Sequence, residues 1–205
     1  MKSVIYFIVK PKVSRYNNTK KIGDKELILN SEIYTHQNVS REAIVLATPS
    51  MIDTEVKVGD EVIVHHNIFR RYNDIKGVEK DSSSYIGNNK YFVNTDQVYA
   101  YKRNGNWNAL KDYCFVKPIK SDNYLSTKKE KPLIGVLKYL NKELVDLGFK
   151  KNDLIGFSPN SEYEFIIDNE RLYRVQVNSI TIKYEYQGKE EEYNPSWLQS
   201  SWRVS

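Results

Sequence analysis

Tyr113-Cys114-Phe115-Val116-Lys117-Pro118 repeats Tyr6-Phe7-Ile8-Val9-Lys10-Pro11 with four identities in six, and the two other positions stay apolar. A second match follows in the same order, Glu55-Val56-Lys57-Val58-Gly59-Asp60-Glu61-Val62-Ile63-Val64 against Gly148-Phe149-Lys150-Lys151-Asn152-Asp153-Leu154-Ile155-Gly156-Phe157. A third pairs Tyr91-Phe92-Val93-Asn94-Thr95-Asp96-Gln97-Val98 with Tyr173-Arg174-Val175-Gln176-Val177-Asn178-Ser179-Ile180. Three matches in register order argue for a tandem duplication.

The chain of 205 residues is then two units of about a hundred each, and each is large enough to bury a core. Short Val- and Ile-rich runs among 16 tyrosines favour strands, so the expected class is all-β. The one helix-forming stretch is Leu133 to Leu147, confined by Gly135 and Gly148. The expected division is a first unit at 1–102 with a long polar loop at 14–40, a linker at 103–111, a second unit at 112–186, and a tail at 187–205. The polar residues and glycine of Arg103-Asn104-Gly105-Asn106-Trp107-Asn108 read as flexible, with Trp107 placed to dock the linker.

The copies differ where loops are expected. Their opening strands lie 107 apart (Tyr6 to Tyr113), whereas Val45-Leu46 and Val136-Leu137 lie 91 apart, so the second copy has lost 16 residues from its long loop. In the first copy that loop carries the aliphatic triplet Leu27-Ile28-Leu29, and the second copy has no counterpart.

The 31 basic and 26 acidic side chains give a net charge of +5 spread through the chain, not the concentrated basic stripe of a nucleic-acid binder. Tyr16, Tyr72, Tyr85, Tyr91, Tyr99 and Tyr101 stand near basic residues but read as packing, so no nucleic-acid partner is expected. No apolar run approaches a membrane span and no secretory signal is read, which leads to the expectation of a soluble, cytoplasmic protein (host cytoplasm if viral) with no membrane partner. The single Cys114 lies inside an apolar run and reads as a buried hydrophobe.

His65-His66 and distant His36 do not make a metal site, because adjacent strand residues face opposite ways and no Cys or acidic pair stands at ligand spacing. Hydrolase elbows, phosphate-binding glycine loops and paired catalytic carboxylates are not found, and Glu190-Glu191-Glu192 reads as a solvated tail. No enzyme, cofactor or metal is expected.

The order of features resembles that of a known family. A short strand ending in Lys-Pro, a long polar loop with an aliphatic triplet, a Val-Leu strand, Val56-Lys57-Val58-Gly59-Asp60-Glu61-Val62-Ile63-Val64 and the ending Val98-Tyr99-Ala100-Tyr101 together resemble a GroES-type co-chaperonin. The resemblance implies two tandem GroES-like small β-barrels. It also implies a protein-folding role, a homo-oligomer, and a mobile loop whose Leu27, Ile28 and Leu29 dock on an ATP-bound GroEL-type chaperonin ring. Tandem and large-phage co-chaperonin-like proteins fit the same pattern. Three features depart from it: Gly23 is separated from Leu27 by Asp24-Lys25-Glu26, only Thr48 to Glu55 lies where a roof hairpin is expected, and the triplet is absent from the second copy. Two alternatives therefore stand. Glu26 to Tyr34 alternates well enough to be an ordinary strand, and the rival to the co-chaperonin reading is a viral structural or assembly protein whose partners are virion proteins.

Overall fold

The computed structural model describes residues 2–16, 19–22, 25–28, 39–121, 129–185, 192, 193 and 195, with 19–22 and 25–28 described at the level of the backbone. The chain divides into two compact units, 1–107 and 108–205.

In the first unit the apolar runs form β1 (Phe7–Pro11), β4 (Glu42–Ala47), β5 (Glu61–Val64), β9 (Lys90–Val93) and β10 (Val98–Arg103). Short polar stretches supply β2 (Thr19–Ile22), β3 (Lys25–Ile28), β6 (Tyr72–Asn73), β7 (Glu79–Lys80), β8 (Tyr85–Gly87) and β11 (Asn106–Ala109). The main sheet has the order β11-β10-β5-β4-β1-β9-β8, while β2-β3 and β6-β7 are separate two-stranded hairpins. Val62, Ile63 and Val64 of β5 and Val98 to Tyr101 of β10 are buried on both faces, with Phe7, Val9, Val45, Ile68 and Phe69 completing the core.

The second unit contains β12 (Tyr113–Lys120), β13 (Glu130–Tyr139), α1 (Lys142–Asp146), β14 (Leu154–Phe157), β15 (Tyr163–Ile167), β16 (Glu170–Gln176) and β17 (Ile180–Tyr184). Its sheet order is β15-β16-β12-β13-β14-β17. When β12 is matched to β1, this order reproduces β8-β9-β1-β4-β5-β10 strand for strand. The core gathers Cys114, Val116, Leu137, Leu144, Ile155, Phe157 and Val175.

The registers agree in detail. Val9 pairs with Val45 and Val116 with Leu137, and each opening strand has a bulge immediately before that pair. On the other side Val9 pairs with Tyr91 and Val116 with Tyr173. The Gly-Asp turn is duplicated bond for bond. Gly59 N–H donates to Val45 O (2.9 Å) and Asn152 N–H to Leu137 O (2.7 Å). The Asp60 carboxylate accepts from Lys57 N–H (2.8 Å), as that of Asp153 does from Lys150 N–H (2.7 Å). Gly59 at φ 92 and Asn152 at φ 73 take the left-handed backbone that this turn requires.

Four expectations change. First, Val45 is matched to Leu137, not Val136, so these strands lie 92 apart and the second copy is 15 residues shorter in that loop (107 against 92). Second, the sheets are open, with β11 and β8 as the edges of one and β15 and β17 as the edges of the other, where closed barrels were expected. Third, the stretch from Leu133 to Tyr139 is strand, and helix is confined to α1, started by the Asn141 side chain accepting from Leu144 N–H at 2.9 Å. Fourth, the expected linker at 103–111 contains β11. Asn104 (φ 51) and Gly105 (φ 79) close a two-residue hairpin, the turn whose twist matches paired strands. Trp107 on β11 is buried, with Lys102 Nζ 5.4 Å from its ring centroid.

Gly135 reports how tightly the second sheet is packed. A Cβ there would stand 2.5 Å from Val116 Cγ1 and 2.6 Å from Lys117 O. Ala43 carries a methyl at the matching position of the first unit, opposite Pro11 as Gly135 is opposite Pro118. Gly135→Ala is expected to destabilise the protein by about 1–3 kcal/mol, the usual cost of overpacking, read as a lower urea midpoint.

Candidate docking site

The loop after β1 is the largest difference between the two copies, and its root is well built. Tyr16 and Val39 bridge one another as antiparallel partners, and Ser40 N–H donates to Arg15 O at 2.9 Å. Tyr16, Val39 and Ser40 are buried. The Tyr16 hydroxyl accepts from Arg71 N–H at 2.6 Å, and the Ser14 hydroxyl donates to Tyr16 O at 2.6 Å. The two stems of the loop are thus tied to each other and to the segment after β5.

Arg15 makes the longest reach. Its Nε and Nη2 donate to Phe69 O at 3.3 and 3.2 Å, and its Nη1 pairs with Asp81 at 2.6 Å. The guanidinium lies 5.4 Å from the Tyr91 ring centroid and 5.9 Å from that of Tyr85. Tyr91 is fully buried, edge-on to Phe69, and its hydroxyl has no hydrogen-bond partner. Burial pushes the Tyr91 phenol above its usual range.

The second unit solves the same problem differently. Tyr173, matched to Tyr91, donates its hydroxyl proton to Glu130 (2.6 Å) and accepts from Arg171 Nη2 (2.6 Å). Arg171 also pairs with Glu130 and Glu164, each at 2.7 Å. Both units place a guanidinium against the same tyrosine, one from the loop after β1 and the other from β16.

Of the triplet expected to dock, Leu27 and Ile28 are the last two residues of β3, opposite Lys20 and Thr19 of β2, and Leu29 lies outside the described residues. This segment is therefore paired strand as far as Ile28, and the pairing belongs to a hairpin outside the main sheet. His65 and His66 stack with ring centroids 4.2 Å apart, and His65 Nδ1 accepts from Asn67 N–H at 3.2 Å, capping a short 3₁₀ turn. His36 lies outside the described residues. Among the described residues no three His, Cys, Asp or Glu side chains gather as metal ligands, and no helix is long and apolar enough to cross a membrane.

Glu192 is not simply solvated, as a tail residue was expected to be. It bridges Ile119 and forms an ion pair with Lys138, while Tyr193 N–H donates to Pro118 O at 2.8 Å. Glu190 and Glu191 lie outside the described residues. Cys114 is fully buried, and burial pushes its thiol up to about 12.

The joining of Arg15 to Phe69 and Tyr91, and of Tyr16 to Arg71, carried no signal in the sequence, because these partners lie 54 to 76 positions apart and no spacing rule reaches so far. Comparison with known proteins adds no family: no protein-family model matches this chain, and no curated protein matches it significantly.

Two tests follow from this geometry. Arg15→Ala strands the Phe69 carbonyl and removes the loop's main tie; an expected loss of about 1–3 kcal/mol is read by urea denaturation, with faster proteolysis between Arg15 and Lys25. At pH 8 the thiol at position 114 is protonated and buried, so a disulfide reagent should react with it only after denaturant is added.

Proposed function

We propose that this protein is a binding module rather than an enzyme. In this reading it docks on a chaperonin-type ring through the segment Leu27-Ile28-Leu29, as the resemblance to GroES-type co-chaperonins implies. The observation that carries the reading is the unequal duplication. The same six-strand order forms both cores, yet among the described residues only the first unit carries an appended hairpin, β2-β3, on its rooted stem. An element the scaffold does not need is a candidate for recognition.

The energetics suit a ring partner. Each aliphatic side chain fully buried in a partner's groove contributes about 1.5–3 kcal/mol. A strand turns consecutive residues to opposite faces, so for all three to enter one groove the segment must leave β3, and docking then costs the β2-β3 pairing. One copy therefore binds weakly, and a homo-oligomer facing a ring of sites recovers affinity through multivalency.

A second reading has its own support. Open sheets leave β8, β11, β15 and β17 as edges, and exposed edges are places where another chain can pair. This favours an assembly protein using the two units as modules in a particle. One experiment separates the two readings: binding of the purified chain to a GroEL-type ring with ATP. Leu27→Asp with Ile28→Asp is expected to weaken that binding by about a hundredfold or more. Binding left unchanged removes the triplet as the anchor. A ring not bound by the parent chain favours the assembly reading.

A further inference from the structure

Where β1 begins and β4 ends, the first unit exposes a strip of four aliphatic side chains: Val4 (57%), Ile5 (45%), Met51 (74%) and Ile52 (37%). The strip is held together by its backbone. Ser3 and Pro49 form a parallel bridge, Ser50 N–H donates to Ser3 O at 3.0 Å, and Met51 N–H donates to Val4 O at 3.0 Å.

The sister unit serves as an internal control. Counting from Tyr6 and Tyr113, Val4 corresponds to Lys111 and Ile5 to Asp112, and both of these are exposed. The same two segments meet there as well: Ala109 N–H donates to Leu140 O at 3.0 Å, and the Asn141 side chain donates to Lys111 O. The sister unit thus carries a charged pair at these positions, on a tighter turn in which Tyr113 N–H donates to Leu110 O at 3.3 Å and Lys111 lies at φ 49. The second unit also follows its β13 with α1, whose Leu144 is 1% exposed in the core. The first unit has aliphatic residues where the fold requires none, and exposed apolar strips of this kind mark contact surfaces.

We propose that this strip is a two-fold contact between two copies of the chain. The parallel bridge orders the charges at its ends: Lys2 precedes Ser3 at one end, and Asp53 follows Ile52 at the other, both exposed. A two-fold axis lying in the contact plane, perpendicular to the length of the strip, sets two strips face to face and reverses the direction of one. It brings Lys2 of each copy to the Asp53 end of the other while the aliphatic middles meet, so the surface is complementary to itself. The contact is independent of the chaperonin reading, because it is read from the chain alone.

Sedimentation velocity of the full chain over a concentration series tests it. The expected result is reversible association into even-numbered assemblies. Met51→Asp, and separately Val4→Lys with Ile5→Asp, should each raise the dissociation constant about tenfold or more. The paired variant carries the residue types that the sister unit already folds with. Lys2→Glu should weaken association, and Lys2→Glu with Asp53→Lys should restore it. Ile75→Asp, at the solvent-exposed tip of the β6-β7 hairpin, should change nothing. A single-chain mass at every concentration overturns the proposal, as does any assembly that survives Met51→Asp unaltered.

Discussion

Each half of the protein depends on the pairing of its opening strand with neighbours on both sides. Val9 sits between Val45 and Tyr91, and Val116 between Leu137 and Tyr173, so one residue fixes the register of three strands. The Lys-Pro that follows limits this pairing on one side. β9 reaches only Val9 and β16 only Val116, before a proline that has no N–H to give to a ladder. Pairing on the other side continues to Pro11 opposite Ala43 in the first unit, and past Pro118 to Lys120 opposite Glu130 in the second. The opening strand is therefore paired through its proline on one edge, while β9 and β16 stop short of it on the other. The chain beyond the proline is left to carry whatever that copy adds.

This explains why the duplication could be read from sequence while its exact phase could not. Identical residues recur in the strand with most neighbours, where substitution disturbs two ladders and the core together. The match of the next strand was off by one because Gly135, Val136 and Leu137 are all buried. A strand buried on both faces shows no polar alternation, and its pleat phase cannot be read from the pattern. Whether the sheets close was equally illegible, since closure depends on pairing between the ends of the strand order and not on local pattern. Asn104-Gly105 was legible and misread: the dipeptide is a hairpin signal, and its polar flanks suggested a linker. The root of the docking loop was hidden for a different reason. Arg15 reaches Asp81 and Tyr91 only because β1 and β9 are neighbours, a fact of topology.

The tyrosines at positions 91 and 173 show how the copies have diverged on one scaffold. A buried phenol needs a partner for its hydroxyl or bears the cost of having none. The second unit satisfies Tyr173 with Glu130 and Arg171 in a closed network. The first places Arg15 over the ring of Tyr91 and leaves the hydroxyl unpaired. Arg15 is instead committed to Phe69 O and Asp81, contacts that anchor the root of the loop. Hydrogen bonding at the tyrosine has been given up in the unit that carries the appendage, and the arginine's contacts go to holding it.

A duplicated protein offers a control that a single domain does not. Where the two units keep the same backbone and the same residue type, as at Val9 and Val116, the fold is a sufficient reason for the residue. Where they keep the backbone and change the chemistry, the fold is not the reason. Lys10 is exposed, whereas Lys117 is buried and lies 3.3 Å from the Glu170 carboxylate, so even an identical residue has been given a different task. Val4 and Ile5 against Lys111 and Asp112 keep the exposure and reverse the polarity, on a turn whose backbone also differs, with Lys111 at φ 49. Removing such side chains from water is favourable only against another surface. Among the described residues the unit itself supplies no such surface, its core being already formed by the strands both copies share.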